Sequence, residues 1–420
     1  MRKRPRRRSS LWRIVLLVVL IGAALYVNQV VVPATPPLFI PTATPTRSPE
    51  SFVNQAQQLY AEGKLVPAME AYREAINADP TNPANYITLA RLQIFAGEYE
   101  KAILNTQNAL LKNPNNPLAH AVQGWALGYQ ENYVDAELEL MKALSLDPNN
   151  ALAHAYYAEV LINQRDFNLL DKAAEESRLA LELDNSLLET HRARGIVLLY
   201  SQNLIQAIQE FKSALAINKN IADVHLYMGI AYQANNEADL AEESYLAAYA
   251  LNPTDTTALT QIALAYFQAG RYTQAAQYAA DAVKVEPDNP RLHGNLGIMH
   301  YKMEEYPIAN TELALAVRGG LTEEGQTVEG LPLSNEQKIM EYYWYYGFSL
   351  AKSNHCSQAI PIFQALLIGV PNDETAVYNA NFGIEMCQQA MENTENTPST
   401  ENTQSEQTPQ ETATEATATP

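Results

Sequence analysis

The sequence predicts an all-α protein: an α-solenoid of about nine stacked helix-turn-helix units, closed by a C-terminal capping helix and preceded by one transmembrane helix. Three columns of small residues predict the array. Ala68, Ala102 and Ala136 stand 34 residues apart, Ala173 comes after 37, Ala207, Ala241, Ala275 and Ala309 return to 34, and Ala359 closes the series after 50. Seven residues beyond them lie Ala75, Ala109, Ala143, Ala180, Ala214, Ala248, Ala282 and Ala316, with Leu366 as the exception. Twelve residues before most of the first column come Ala56, Ala90, Gly124, Gly195, Gly229, Ala263, Gly297 and Gly347, and Ala158 precedes its partner by 15. Small residues at a fixed repeat mark places where helix backbones must approach closely once per unit of a stacked array.

The chain opens outside this array. Residues 1-13 carry seven bases, Arg2, Lys3, Arg4, Arg6, Arg7, Arg8 and Arg13, and no acid. Ile14 to Val27 is unbroken apolar sequence, and Val30, Val31 and Val32 resume it, giving a span over 14-32. A basic segment before an apolar helix is retained in the cytoplasm while the chain beyond the helix is exported. The span reads as a signal-anchor; Gly22-Ala23-Ala24 or Val32-Pro33-Ala34 would serve a cleaved and secreted form as second choice. Residues 33-48, rich in Pro and Thr, form an extended spacer that sets the array up to roughly 50 Å from the membrane at about 3.1 Å per residue. Both forms place the repeats outside the cytoplasm.

Units begin near Pro49, Pro83, Pro117, Ala151, Leu188, Ala222, Thr256, Pro290 and Met340, and a last helix runs from Glu374 to about Met391. Pro80, Pro114, Pro148, Pro253, Pro287 and Pro371 end second helices, because proline lacks the N–H and restricts the residue before it. The order small residue, aromatic or Leu, Ala, bulky residue, Ala, Pro resembles the tetratricopeptide repeat, and Gly229, Tyr232, Ala241, Tyr245, Ala248 and Pro253 match it throughout. Asn185, Lys219 and Leu321 depart from it at the proline; Thr106, Ser177 and Ala279 depart at the aromatic. The resemblance implies a right-handed solenoid over 49-391 that binds protein segments along a concave surface. It also implies that the second, fifth, ninth, twelfth and thirteenth positions of each first helix face that groove. Those positions hold Phe95, Trp125, Tyr129, Ile196, Tyr200, Ile230, Phe267, Tyr301, Trp344 and Phe348, with few charges among them, Arg91, Glu159, Arg192, Lys302 and Lys352. An exposed apolar stripe of this kind marks an interaction site for a partner's helix or extended peptide. Val53, Gln57, Ile87 and Arg91 replace the paired Asn and Lys by which the family's carboxylate-clamp members hold a free C-terminus.

The expected function is a non-catalytic, membrane-anchored scaffold of envelope assembly or secretion; the alternative is a surface carbohydrate-binding protein using the aromatic groove. Without the seven N-terminal bases, 21 of the 28 basic residues face 47 acids, a formal charge of −26, which repels nucleic acid. His120, His154, His191, His225 and His293 share the fourth position of their units. Stacked repeats lie ~8–10 Å apart, too far for one shared ion, so the histidines either replace an aromatic there, packed with one ring nitrogen bonded, or form a pH-sensing stack. Cys356 and Cys387 fall at near-equivalent places in neighbouring layers, where they are either two buried thiols or a staple on the C-terminal layer. Residues 320-335 read as a mobile acidic loop inserted between units eight and nine, and 392-420 as a disordered Thr- and Glu-rich tail. Gly347-Phe348-Ser349-Leu350-Ala351 lies in a helix, where a nucleophile elbow cannot form. No catalytic, cofactor-binding or metal-binding motif is read.

Overall fold

A computed structural model describes residues 11-31 and 47-395. The bases from Arg2 to Arg8, most of the Pro- and Thr-rich spacer and the tail beyond Glu395 lie outside the described residues. The N-terminal helix, α1 (Leu11–Tyr26), begins three residues before Ile14 and therefore includes Arg13, and it continues as a π-turn through Val31. No residue of its 19-residue apolar stretch is buried.

The array consists of helix pairs. The first helices are Pro49–Ala61, Pro83–Phe95, Pro117–Tyr129, Ala151–Asn163, Leu188–Tyr200, Ala222–Ala234, Thr256–Gln268, Pro290–Lys302 and Gln337–Lys352. Each leads after a short turn into a second helix, from Leu65–Ala78 in the first repeat to Cys356–Gly369 in the ninth. The ninth repeat thus begins at Gln337, three residues before Met340. Local chemistry sets the starts: Asn82, Asn116, Asn150, Asp255 and Asn289 accept hydrogen bonds from backbone N–H groups of the first turn they cap, and Pro83, Pro117 and Pro290 supply the preset φ of that turn. All nine turns between first and second helices pass through one residue of left-handed backbone: Gly63, Gly97, Glu131, Arg165, Gln202, Asn236, Gly270, Glu304 and Asn354.

The small columns do what their spacing requires. A Cβ on Gly195 would stand 2.5 Å from the Phe211 ring, so the first helix of repeat five rests directly on the aromatic of its second helix. In the centre of the array more small residues than the columns account for let first helices of successive repeats meet. Ala119, Ala121 and Ala126 of repeat three and Ala153 and Ala155 of repeat four are wholly buried, and a Cβ on Gly128 would stand 2.5 Å from Val160 of the next repeat. The first helices of repeats three, four and five are accordingly in the most extensive contact with one another. Close inner helices mean tight curvature. The superhelix closes within five to six repeats: Asn220 Nδ2, between repeats five and six, donates to the Ala61 carbonyl of repeat one at 2.8 Å, and Gly63 lies against Asn220 and Leu251.

The 320-335 insertion is folded onto the array rather than free. β1 (Gly320–Leu321) pairs antiparallel with β2 (Thr327–Val328), Val328 is buried, Leu331 N–H donates to the Ala316 carbonyl at 2.8 Å, and the Tyr343 hydroxyl donates to the Leu331 carbonyl at 2.9 Å. Two apolar cores meet at repeat eight, one extending from Ile87 to Met299 and the other from Ile298 to Cys387. The last helix, Glu374–Glu395, outruns its expected end at Met391, so the first four residues assigned to the tail are helical. Cys356 and Cys387 form a disulfide with Cα atoms 5.3 Å apart, tying this helix to the second helix of repeat nine.

Candidate functional site

The inner positions of the first helices do converge on the superhelical axis, but in the N-terminal half they meet one another. Trp125 is wholly buried, stacked on Tyr156 at 4.2 Å with Phe95 edge-on at 5.4 Å, and its indole N–H donates to Glu159 at 2.6 Å. Arg192 crosses the axis. It pairs with Glu159, donates through Nε to Asp223 at 2.6 Å and through Nη2 to the Tyr129 hydroxyl at 2.9 Å, and lies over the Phe95 and Trp125 rings. Arg91 of repeat two pairs with Glu189 of repeat five. Burial works against the Arg192 charge, yet Asp223 and Glu159 together hold its guanidinium well above the ordinary range. Burial likewise pushes the Tyr60, Tyr129 and Tyr156 hydroxyls up, so all three stay protonated. Two guanidiniums and three carboxylates therefore fill the axis where an empty groove was expected.

The ten groove residues do not form one surface. Trp125, Ile196, Trp344 and Phe348 are buried, which corrects their expected exposure. Tight curvature covers the first two, Trp344 sinks into the C-terminal apolar core, and the capping helix covers Phe348, whose ring meets Phe363 at 5.3 Å and Phe382 at 6.0 Å. Phe95, Tyr129, Ile230, Phe267 and Tyr301 are half-buried. Phe267 leans on Tyr272 at 5.4 Å, and Tyr301 on Tyr345 at 5.1 Å. Tyr200 alone of the ten is exposed, at 48 %. The charges Arg91, Glu159 and Arg192, expected as a few isolated groups in the groove, are the ones that fill it, with Glu189 and Asp223 as further partners.

A cleft of about 430 Å³ opens at the seam where repeat one meets repeat six and the links on either side of it. Its walls include Tyr60, Leu65, Val66 and Met69 from repeat one, Phe95 from repeat two, and Ile221, Leu251 and Pro253 from the facing side. Lys64, Glu98, Asp223 and Asn252 also border it. Val66 is 61 % exposed. An apolar floor with a few polar groups suits one or two apolar side chains of a visiting segment.

The fourth-position histidines are bonded through both ring nitrogens in four repeats, not through one. Nδ1 of His120, His154, His191 and His293 meets Glu139, Glu176, Glu210 and Glu312 of the same repeat's second helix at 2.5–2.6 Å. Nε2 of the same rings meets the carbonyls of Pro114, Pro148, Asn185 and Pro287 at 2.9–3.0 Å. Among the described residues no three or more His, Cys, Asp or Glu side chains gather as a metal site.

Two models of the tetratricopeptide repeat match the sequence, over residues 59–126 and 260–317. Among solved structures, the chain is similar to one in the Cut9–Hcn1 hetero-tetramer of the APC/C, at 14 % identity and a TM-score of 0.55 over 73 % of this chain and 55 % of that one. It therefore spans about half the length of that relative. It is also similar to Pseudomonas aeruginosa PilF, at 22 % identity and a TM-score of 0.42 over 48 % of this chain and 91 % of that one. A third likeness is to YrrB, described as a TPR protein with an unusual peptide-binding site, at 23 % identity and a TM-score of 0.28 over 46 % and 97 %. No curated protein matches the sequence.

Proposed function

The chain belongs to the tetratricopeptide repeat family, and from that premise we propose that it is a non-catalytic scaffold that holds a segment of a partner protein outside the cytoplasm, tethered by its N-terminal helix. The observation that carries the reading is the seam cleft, because the N-terminal part of the superhelical axis is occupied by the protein's own side chains. A partner helix or strand anchors there by an apolar side chain inserted between Val66 and Leu251, the manner in which hot-spot contacts bury a few large groups in a pocket. Lys64 and Glu98 at the border leave the entrance polar. The tether rests on an apolar helix with no buried face, preceded in the sequence by a basic segment.

A photo-crosslinking residue at position 64, on the border of the cleft, in the membrane-bound protein tests the site. Crosslinks to a discrete partner that disappear in Val66→Glu, whose exposed position lets the variant fold, support it. Equal partner recovery with Val66→Glu and Leu251→Glu ends it. Externally added protease that digests the repeats on cells stripped of their outer layers supports the topology, whereas protection until the membrane is lysed reverses it.

A further inference from the structure

We propose that the four doubly bonded histidines are proton-held clasps, which join each repeat to the link before it and let go together as the pH rises. The argument starts from the acceptors. A peptide carbonyl accepts only, and an ionised carboxylate accepts only. Each ring of His120, His154, His191 and His293 lies between one of each. A neutral imidazole has one N–H and can satisfy one of the two; an imidazolium has two and satisfies both. If the proton shifts from Nδ1 to the carboxylate the count is unchanged, because the pair still holds one proton more than a neutral ring beside an ionised acid.

The placement makes the proton structural. Each carbonyl belongs to the link that leads from the preceding repeat into the histidine's own first helix, and each glutamate belongs to the second helix of the histidine's repeat. One protonated ring therefore fastens three pieces of chain. Removing the proton leaves one of the two ring nitrogens with a lone pair facing an acceptor, the glutamate or the carbonyl, and opens that side of the joint. The charged groups facing these rings are acids: Glu139 at His120, Glu176 and Asp147 at His154, Glu210 at His191, and Glu312 with Glu324 of the insertion at His293.

The array contains its own controls. In repeat six Ser244 stands where the glutamate would be and donates to the Leu240 carbonyl instead. His225 keeps its carbonyl contact, to Lys219 at 2.9 Å, but its Nδ1 is buried without a partner. In repeat two Tyr86 occupies the histidine's position and its hydroxyl donates to the Pro80 carbonyl.

The linkage has a definite sign. The hydrogen bond to glutamate holds the His154 and His191 rings above their ordinary value of 6.5, and at His293 burial opposes the charge but Glu312 and the Pro287 carbonyl prevail. A raised folded value means that the clasps contribute fully below the ordinary imidazole range and are lost as pH climbs through the raised values.

Side-chain 15N spectra of the full chain, labelled at histidine, test the proposal. The expected result is the His154, His191 and His293 rings protonated on both nitrogens at about pH 7; these three rings titrating at or below the free-imidazole range overturn it. Thermal unfolding at about pH 6 and about pH 9 supplies the second readout. The wild-type Tm is expected to drop more across that interval than the Tm of a variant carrying Glu139→Gln, Glu176→Gln, Glu210→Gln and Glu312→Gln. An equal drop in both removes the clasps from the account, and the spectra decide alone if the variant does not fold.

Discussion

Arg192 shows how far a single side chain controls the centre of this molecule. It is 2 % exposed, and its partners Glu159, Asp223 and Tyr129 come from three other repeats. Removing one partner of a buried ion pair costs more than the pair itself contributes, because the remaining charges stay desolvated and unpaired. Arg192→Ala is therefore expected to cost about 3–5 kcal/mol in urea-induced unfolding. Replacing the group by apolar residues of similar volume, Arg192→Met with Glu159→Leu and Asp223→Leu, should recover most of that loss. At this scale the sequence was half legible. Which helix positions face inward followed from the resemblance to the family, but what they face could not be read, because the closing partners lie as far apart in sequence as Arg91 and Glu189. The histidine joints were more accessible: a glutamate 19 residues after His120, His191 and His293, and 22 after His154, recurs as regularly as the alanines.

The elements are simple and their boundaries obey local rules. Asparagine caps, first-turn prolines and alanine columns were visible because each acts within one unit, and the second helices end two residues before Pro80, Pro114, Pro148, Pro253, Pro287 and Pro371. The turns were less visible. Only Gly63, Gly97 and Gly270 among the nine left-handed positions are glycine. Glu131, Gln202 and Glu304 hold the same backbone at φ of 59 to 62°, a conformation that costs an L residue roughly 1 kcal/mol. Glu131→Gly, Gln202→Gly and Glu304→Gly are each expected to be neutral to stabilising, by up to about 1 kcal/mol once the greater freedom of glycine in the unfolded chain is subtracted. Urea midpoints of the three single variants check this, and a loss above about 1 kcal/mol in any of them would contradict the strain. At the other end of the array, the disulfide holds a helix whose Tyr378 and Phe382 are largely exposed. Cys387→Ser should raise amide exchange in residues 374-392 while leaving repeats one to five unchanged; uniform exchange across both forms would show that packing alone retains the helix.

Taken whole, the molecule is a repeat array whose curvature decides what its inner surface can do. Small residues in repeats three and four draw the inner helices together, and repeat one arrives opposite repeat six and its flanking links, leaving a cleft in place of a groove. Curvature is a sum over several interfaces, so no single unit announces it; Gly128 and Ala155 contribute to it only in combination. The seam offers a direct test. Gly63 has φ of 78° and lies against Asn220, so Gly63→Leu introduces both backbone strain and a wedge. The variant is expected to show a larger radius of gyration by small-angle scattering and added dye binding at the exposed axis. An unchanged radius would mean that the seam adapts without opening.

That seam also sets an order in time. Nearly every other contact in the array joins neighbouring units, which lets such a chain form early and from many starting points. The bond from Asn220 to Ala61 spans 159 residues and the pair Arg91–Glu189 spans 98, so neither can form until the intervening repeats have stacked with the right bend. Closure thus follows the stacking of the repeats it spans, and the cleft exists only in chains that have completed it.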